Sequence, residues 1–220
     1  MAGWLKRESS AVGETTAPSK DAVISSLRYT VFDTEFTSLD QRTNRLLSIG
    51  AVSMQGASIQ IGGQFYRVVN PEVAVPAESV VIHKLRSEDV ESGEQLAKVL
   101  DDFCAFSVQS VLVGHFVELD LKILRKEMSQ TGHKLDQPVI DTARVHSWLL
   151  RHGPYSEDLA MQCEKLDLAT VAKSYHLETT DAHHALSDAF LTARVWQKML
   201  HALPQKGIAN LRKLLKIAGA

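Results

Sequence analysis

Two hundred and twenty residues suffice for one substantial core, and the make-up is ordinary for a globular chain: 45% hydrophobic, 23% charged, 6 prolines and 12 glycines. That balance excludes disordered, collagen-like and coiled-coil chains, each of which needs a marked bias. Lys+Arg 24 against Asp+Glu 26 leaves a net charge of -2; without a basic excess, any nucleic-acid contact must be confined to a local patch or helped by bound cations. The two cysteines, Cys104 and Cys163, lie far apart without metal-ligand spacing, which argues against a disulfide scaffold or a zinc site and fits a reducing cytoplasm. No apolar run approaches the ~18 residues of a membrane helix. The amino terminus also lacks the apolar stretch of a secretory signal, so a cytoplasmic protein without membrane contact is expected.

Residues 1–27 mix Ser, Thr, Gly and Ala with a few charges and show no sustained period, the pattern of a tail or a short appended helix. From Arg28 the chain changes. Tyr29-Thr30-Val31-Phe32 is β-branched and aromatic, as a buried strand requires. Leu46–Met54 reads as a second strand ending at Gln55-Gly56. Ser58–Ile61 and Gln64–Val69 follow and complete an antiparallel meander. Asn70-Pro71 and Pro76 mark a loop. Leu96, Val99, Leu100 and Phe103 recur at helical spacing. Val111–Gly114 is a short apolar strand, with Leu121, Leu124 and Met128 on the helix after it, and Pro138–Asp141 is one more strand. Helices are expected near Ala143–Leu150 and Leu168–Tyr175. A last long one should carry Leu186, Ala189, Phe190, Ala193, Trp196 and Leu200 on its buried face. This order predicts an α/β layered sheet of mixed strand directions. Beyond Pro204, a segment with Lys206, Arg212, Lys213 and Lys216 and no acid is basic and weakly amphipathic; a packed terminal helix with a solvated face is the favoured reading, ahead of a contact with nucleic acid or a partner helix.

Three acidic elements carry the chemistry. Asp33 and Glu35 close the first strand two residues apart, so both carboxylates project to one face; such a like-charged pair is costly unless a cation neutralises it. A solvated strand end is the competing reading, and Asp89-Val90-Glu91 shows that the spacing recurs in a polar region. Asp120 opens the helix after Val111–Gly114, where the helix dipole favours a carboxylate; Glu118 is its rival by position. Asp188 sits in the last long helix behind the histidine pair His183-His184.

Their conjunction, in this order, resembles the DEDDh exonucleases, the DnaQ-like family of the RNase H-like fold. Val31–Leu39 looks like the family's first motif, Gly114–Asp120 the second and His183–Asp188 the third, with Asn70-Pro71, Ile82-His83-Lys84-Leu85 and Ile140-Asp141-Thr142 similar to the segments between. The resemblance runs from about Arg28 to Leu200, implying an exonuclease domain at 28–203 between the 1–27 tail and the basic 204–220 segment. The implied sheet is of RNase H-like type, an antiparallel three-strand meander plus parallel strands flanked by helices. The implied activity is stepwise hydrolysis of single-stranded 3′ ends, DNA favoured, releasing nucleoside 5′-monophosphates with two divalent cations, Mg²⁺ or Mn²⁺, held by Asp33, Glu35, Asp120 and Asp188. His183 is the implied base; His184 occupies the place where a sister group carries tyrosine. Thr34, Phe36 and Thr37 would offer backbone donors and a stacking surface to the terminal nucleotide, and His83 and His115 are further substrate contacts by the same likeness. Ser38, Phe36, Phe116 and Lys84 depart from the usual glycine, threonine, asparagine and glycine. RNA trimming of the oligoribonuclease or RNase T type, proofreading beside a polymerase docked through the basic tail, and a binding module with dead chemistry stay open as alternatives. Residues 146–166 form a longer segment than usual, one that could cover the site.

Overall fold

The computed structural model describes residues 17–38, 40, 42–73, 85–153, 166–179 and 183–220. Among them five strands form one mixed sheet: β1 (Arg28–Phe36), β2 (Leu46–Gln55), β3 (Ser58–Val68), β4 (Val111–Gly114) and β5 (Val139–Asp141), in the order β3-β2-β1-β4-β5. β1 is antiparallel to β2 and parallel to β4, β2 is antiparallel to β3, and β4 is parallel to β5. The helices are α1 (Ser87–Glu91), α2 (Leu96–Phe106), α3 (Glu118–Thr131), α4 (Thr142–Arg151), α5 (Leu168–Ser174), α6 (Ala185–Ala202) and α7 (Leu211–Ala218). No helix among the described residues is long and apolar enough to cross a membrane.

Alternation along β1 divides the molecule into layers. Tyr29 and Val31 enter a core shared with Val52, Met54 and, from α6, Ala189, Ala193 and Trp196. Phe32 faces the other way, into a core with Phe65, Phe103 of α2 and Leu121 and Leu124 of α3. Tyr29 meets Trp196 edge-on at 5.5 Å, and its hydroxyl donates to Ile24 O at 2.7 Å. Burying each large apolar side chain contributes about 1.5–3 kcal/mol, so both faces of β1 are fixed before its acidic end is reached.

Two expectations change. Ser58–Ile61 and Gln64–Val69 are parts of one strand: Gly62 supplies a left-handed φ of 75°, and an irregularity between Val52 and Met54 absorbs the register shift. On α6 the core face is partly rotated from the expected one. Ala189, Ala193, Trp196 and Leu200 are buried as expected, but Phe190 is 47% exposed, while Leu191, Val195 and Met199 are buried as well; the helix packs across β1 and β2, which spacing along one helix does not reveal. The carboxyl-terminal segment forms the expected packed helix with a solvated face, and the described residues of the 1–27 segment are joined to it. Ile24 N–H donates to Ala209 O (3.0 Å) and Leu211 N–H to Ala22 O (3.0 Å); Arg212 grips Asp21 through two bonds of 2.9 Å. Ile24, Leu27, Leu211, Leu214 and Ala218 all belong to the α6-side core, leaving Lys206, Lys213 and Lys216 on the solvent side of the carboxyl-terminal segment.

Candidate active site

Asp33 and Glu35 leave β1 on its α6 face, and Asp188 of α6 comes down to meet them. One carboxylate oxygen from each of the three lies within 4.8 Å of the others. A glycine makes the approach feasible. Gly50 of β2 pairs directly with Asp33, and a Cβ there would stand 2.2 Å from Ala185 C and Leu186 N. The first turn of α6 therefore rests on bare backbone, and its third residue beyond Ala185 arrives at the acid pair.

Asp120 reaches the same strand end from the opposite layer. It is 7% exposed, and its Oδ1 accepts two bonds from Thr34, from the backbone N–H at 2.9 Å and from Oγ1 at 2.5 Å. Thr34 points to the α3 side because it alternates with Asp33 and Glu35. The site thus straddles the end of β1, with three acids below the sheet and one above it. Glu118, the rival by position, is exposed and paired with Arg144. Asp141 caps α4 by accepting from Ala143 N (2.8 Å) and also takes the N–H of Phe116 (3.2 Å).

The electrostatics follow from this crowding. Burial first, then the charges of Asp120, Glu35 and Asp188, push the Asp33 carboxyl well above its ordinary range. Burial and the same neighbours raise Glu35 to about 7. Burial raises Asp120 to about 6 against the opposing pull of Thr34's two bonds. Burial also raises Asp188, opposed by the His183 and His184 backbone and charges. Four carboxylates that repel one another and resist ionising are a donor set of hard oxygens, and a divalent cation of the Mg²⁺ or Mn²⁺ type fits them by displacing the protons they retain.

The histidine pair is separated by its surroundings. His183 is exposed on left-handed backbone, φ 68°, and its N–H donates to Asp188 Oδ2 at 2.8 Å. His184 is half-buried, stacked on Tyr66 at 4.7 Å and 25°. Tyr66 is a neighbour that sequence reasoning missed; pairing of Gly50 with Tyr66 in β2–β3 brings it beside the site, and only knowledge of the register would have found it. The expected backbone donors are committed elsewhere: Thr34 N–H to Asp120, and Thr37 N–H to Arg45 O at 3.0 Å. Phe36 is half-buried against the α2–α3 core. His115 places Nε2 2.6 Å from Leu166 O and Nδ1 2.8 Å from Thr142 Oγ1, so both ring nitrogens join β4 to its surroundings, and burial lowers its proton affinity. His83, and residues 154–165 of the expected covering segment, lie outside the described residues.

Known proteins are similar in both sequence and shape. DNA polymerase III PolC-type of Thermotoga maritima is 28% identical over 200 residues, which is 90% of this chain and 14% of that one. DNA polymerase III subunit epsilon of Rickettsia conorii is 31% identical over 183 residues, covering 80% of this chain and 75% of the relative. The chain spans about a seventh of the length of the PolC-type proteins it matches. Among solved structures, E. coli Exonuclease I in complex with a dT13 oligonucleotide superposes with a TM-score of 0.70 at 15% identity, over 82% of this chain and 42% of that one, a likeness of fold. The family described as Exonuclease (RNase_T) matches residues 30–196, from the middle of β1 to the buried Trp196 of α6. By that match, which takes in all four acids and the sheet that carries them, the chain belongs to the exonuclease family.

Proposed function

We propose that the chain is a 3′–5′ exonuclease acting on single-stranded ends, DNA favoured, with two divalent cations, Mg²⁺ or Mn²⁺, releasing nucleoside 5′-monophosphates. The observation that carries the reading is the meeting of Asp33, Glu35 and Asp188 within 4.8 Å, with Asp120 beside them on the far side of β1. Names of the relatives, epsilon and PolC-type DNA polymerase III, favour DNA, as does the dT13 strand bound by the structural neighbour.

Asp33, whose carboxyl feels the charges of Asp120, Glu35 and Asp188, would serve both cations, with Glu35 and Asp188 holding one and Asp120 the other. When bound, such a pair of ions stabilises the charge on the attacking and leaving oxygens of the displacement. Thr34's two bonds orient Asp120 and favour its ionised form against the opposing effect of burial. His183 stands free at the rim, and an imidazole there can take the proton of the attacking water. Its backbone N–H on Asp188 Oδ2 ties that side chain's position to a ligand carboxylate, leaving the other Asp188 oxygen for the cation. His184 holds β3 against α6 through Tyr66. His115 anchors the end of β4, and contact with the terminal nucleotide falls to the Phe36 and Thr37 side of the strand end.

The test is digestion of labelled DNA and RNA strands blocked at the 3′ or the 5′ end, with and without Mn²⁺. Metal-dependent loss of 3′-unblocked strands, DNA faster, is expected; intact strands would overturn the activity, and faster RNA loss would make it an RNA-trimming enzyme. Proofreading beside a polymerase is favoured by the relatives' names. Because Leu211 and Leu214 are core residues, docking through the terminal segment is tested by reversing the charges of Lys206, Lys213 and Lys216, since its deletion would open the core.

A further inference from the structure

At the carboxyl ends of β4 and β5, where open α/β sheets offer their crevices, a groove of about 700 Å³ opens, at the same end of the sheet as the acid pair of the parallel strand β1. Phe116, Lys122, Arg144, Arg151, Asp141 and Leu166 line it. The geometry points to this groove as the track for the strand trailing 5′-ward from the terminal nucleotide, with a base stacked on Phe116 and backbone phosphates met by Lys122 and Arg151. The inference rests on the nuclease reading and deepens it.

Phe116 is disfavoured twice over. Its φ is 51°, a left-handed conformation that a bulky residue rarely adopts, and its ring is 51% exposed. The surroundings enforce this arrangement: the N–H is fixed to Asp141 Oδ1 at 3.2 Å, and the ring sits edge-on to His115 at 4.9 Å. A strained backbone that holds an aromatic face in solvent, four residues before a buried acid of the site, marks a stacking platform.

The charges agree. Of the two groove carboxylates, Glu118 is paired with Arg144, and Asp141 accepts backbone N–H groups. Lys122 and Arg151 are exposed and make no ion pair among the described residues. In a chain of net charge -2, this is the local cationic patch that a polyanion needs beside an acidic centre. Apart from Phe116, apolar contact comes from the half-buried Leu119, Leu166 and Ile217 and the buried Ala143, while exposed Lys122 and Arg151 favour a phosphodiester strand over a hydrophobic peptide.

The experiment is a substrate-length series, dT2 to dT16, with Mn²⁺, comparing the natural chain, Phe116→Ala, Phe116→Trp and the double variant Lys122→Glu/Arg151→Glu. For the natural chain KM should fall as length grows. Phe116→Ala should raise KM for dT16 about 5- to 100-fold, the worth of one stacked base, and Phe116→Trp should restore it. The double variant should lower the slope of log KM against log salt by about 1.4, from two lost phosphate contacts at ~0.7 each on a single strand. Natural length and salt dependence in both variants would overturn the track while leaving the nuclease reading intact. Failure of the natural chain to cut any strand would instead overturn that reading, and the track with it. If the charge reversals abolish binding of a polymerase subunit and leave KM for dT16 unchanged, the groove is a protein interface and the track is wrong.

Discussion

Thr34→Val is the sharpest test of how the site is assembled. Valine keeps the branched shape that suits a strand and removes only the hydroxyl that donates to Asp120 Oδ1 at 2.5 Å inside the protein. The backbone N–H bond at 2.9 Å stays. A hydrogen bond to a buried ionised group contributes about 1.5–3 kcal/mol, so the metal-free variant should melt lower by about 3–12 °C at pH 8, given roughly 2–4 °C per kcal/mol for a chain of this size. The loss depends on pH with a defined sign. Asp120 is raised to about 6, burial outweighing Thr34's opposing bonds; without the hydroxyl it rises further, because that bond favours only the ionised form. The difference from the natural chain should therefore be small below pH 4, where Asp120 is protonated in both, and open as pH rises through 6. Activity should fall about 10- to 100-fold through a misaligned Asp120, with part of it recovered at higher Mn²⁺. Scanning calorimetry from pH 4 to 8 reads the first effect and metal-titrated cleavage the second. Equal melting at pH 8 would show that the Thr34–Asp120 bond does not hold the two layers together.

Three further outcomes follow from the same geometry. His183→Ala should lower cleavage about 10²- to 10⁴-fold without changing the melting temperature, since the ring is exposed, whereas His184→Ala should keep the rate within tenfold and melt lower for loss of its stacking on Tyr66; the reverse pattern in the two variants would exchange their roles. Stability of the metal-free protein should decline as pH rises from about 4.5 to 8: Glu35 is raised to about 7 by burial and by Asp188 and Asp120, so the unfolded chain releases that proton first. Mn²⁺ should then raise the melting temperature more at pH 8 than at pH 5, and an equal rise at both would sink the account. Gly50→Ala should destabilise by at least about 3 kcal/mol or prevent folding, because its Cβ would meet α6 backbone at 2.2 Å; a soluble, active variant read by cleavage and melting would show that α6 does not need that approach.

How much of this was legible depended on whether the determinant was local. β1 could be read because Tyr29-Thr30-Val31-Phe32 has the chemistry of a doubly buried strand, and it is buried on both faces. The spacing of Asp33 and Glu35 gave their common direction, since a strand's period leaves no alternative. Asp120 against Glu118 could not be settled by position: both stand in the first turn of α3, and what separates them is Thr34, 86 residues away. On α6 the expected face holds at Ala189, Ala193, Trp196 and Leu200 and misses at Phe190, for a similar reason. Leu186 and Phe190 fit a helical stripe, but the sheet meets the helix along Ala185, Ala189 and Ala193, where small side chains permit close approach. Gly62 read as a strand end because glycine usually interrupts strands; here its φ of 75° lets β3 continue. The contacts that join 19–27 to 207–220 are made between the chain's two described ends, a separation no periodicity can report.

The layered construction has a consequence for how the site can fail. Asp188 reaches the acid pair only while α6 rests on Gly50, and Asp120 reaches it only while α3 is packed on the other face through Leu121 and Leu124. Loosening either layer removes a ligand before the sheet itself is lost. The four acids, whose proton affinity is raised by burial and, for Asp33 and Glu35, by the neighbouring carboxylates, would then relax apart toward solvent. Metal binding works in the opposite direction, drawing acids from both layers onto one centre. The bound cations should therefore act as a clamp across the end of β1, stabilising the docking of α3 and α6 as a unit. Hydrogen exchange with and without Mn²⁺ would reveal it: slowed exchange at the starts of both α3 and α6 is expected, and protection confined to α6 would place the metal below the sheet alone, with Asp120 outside its reach.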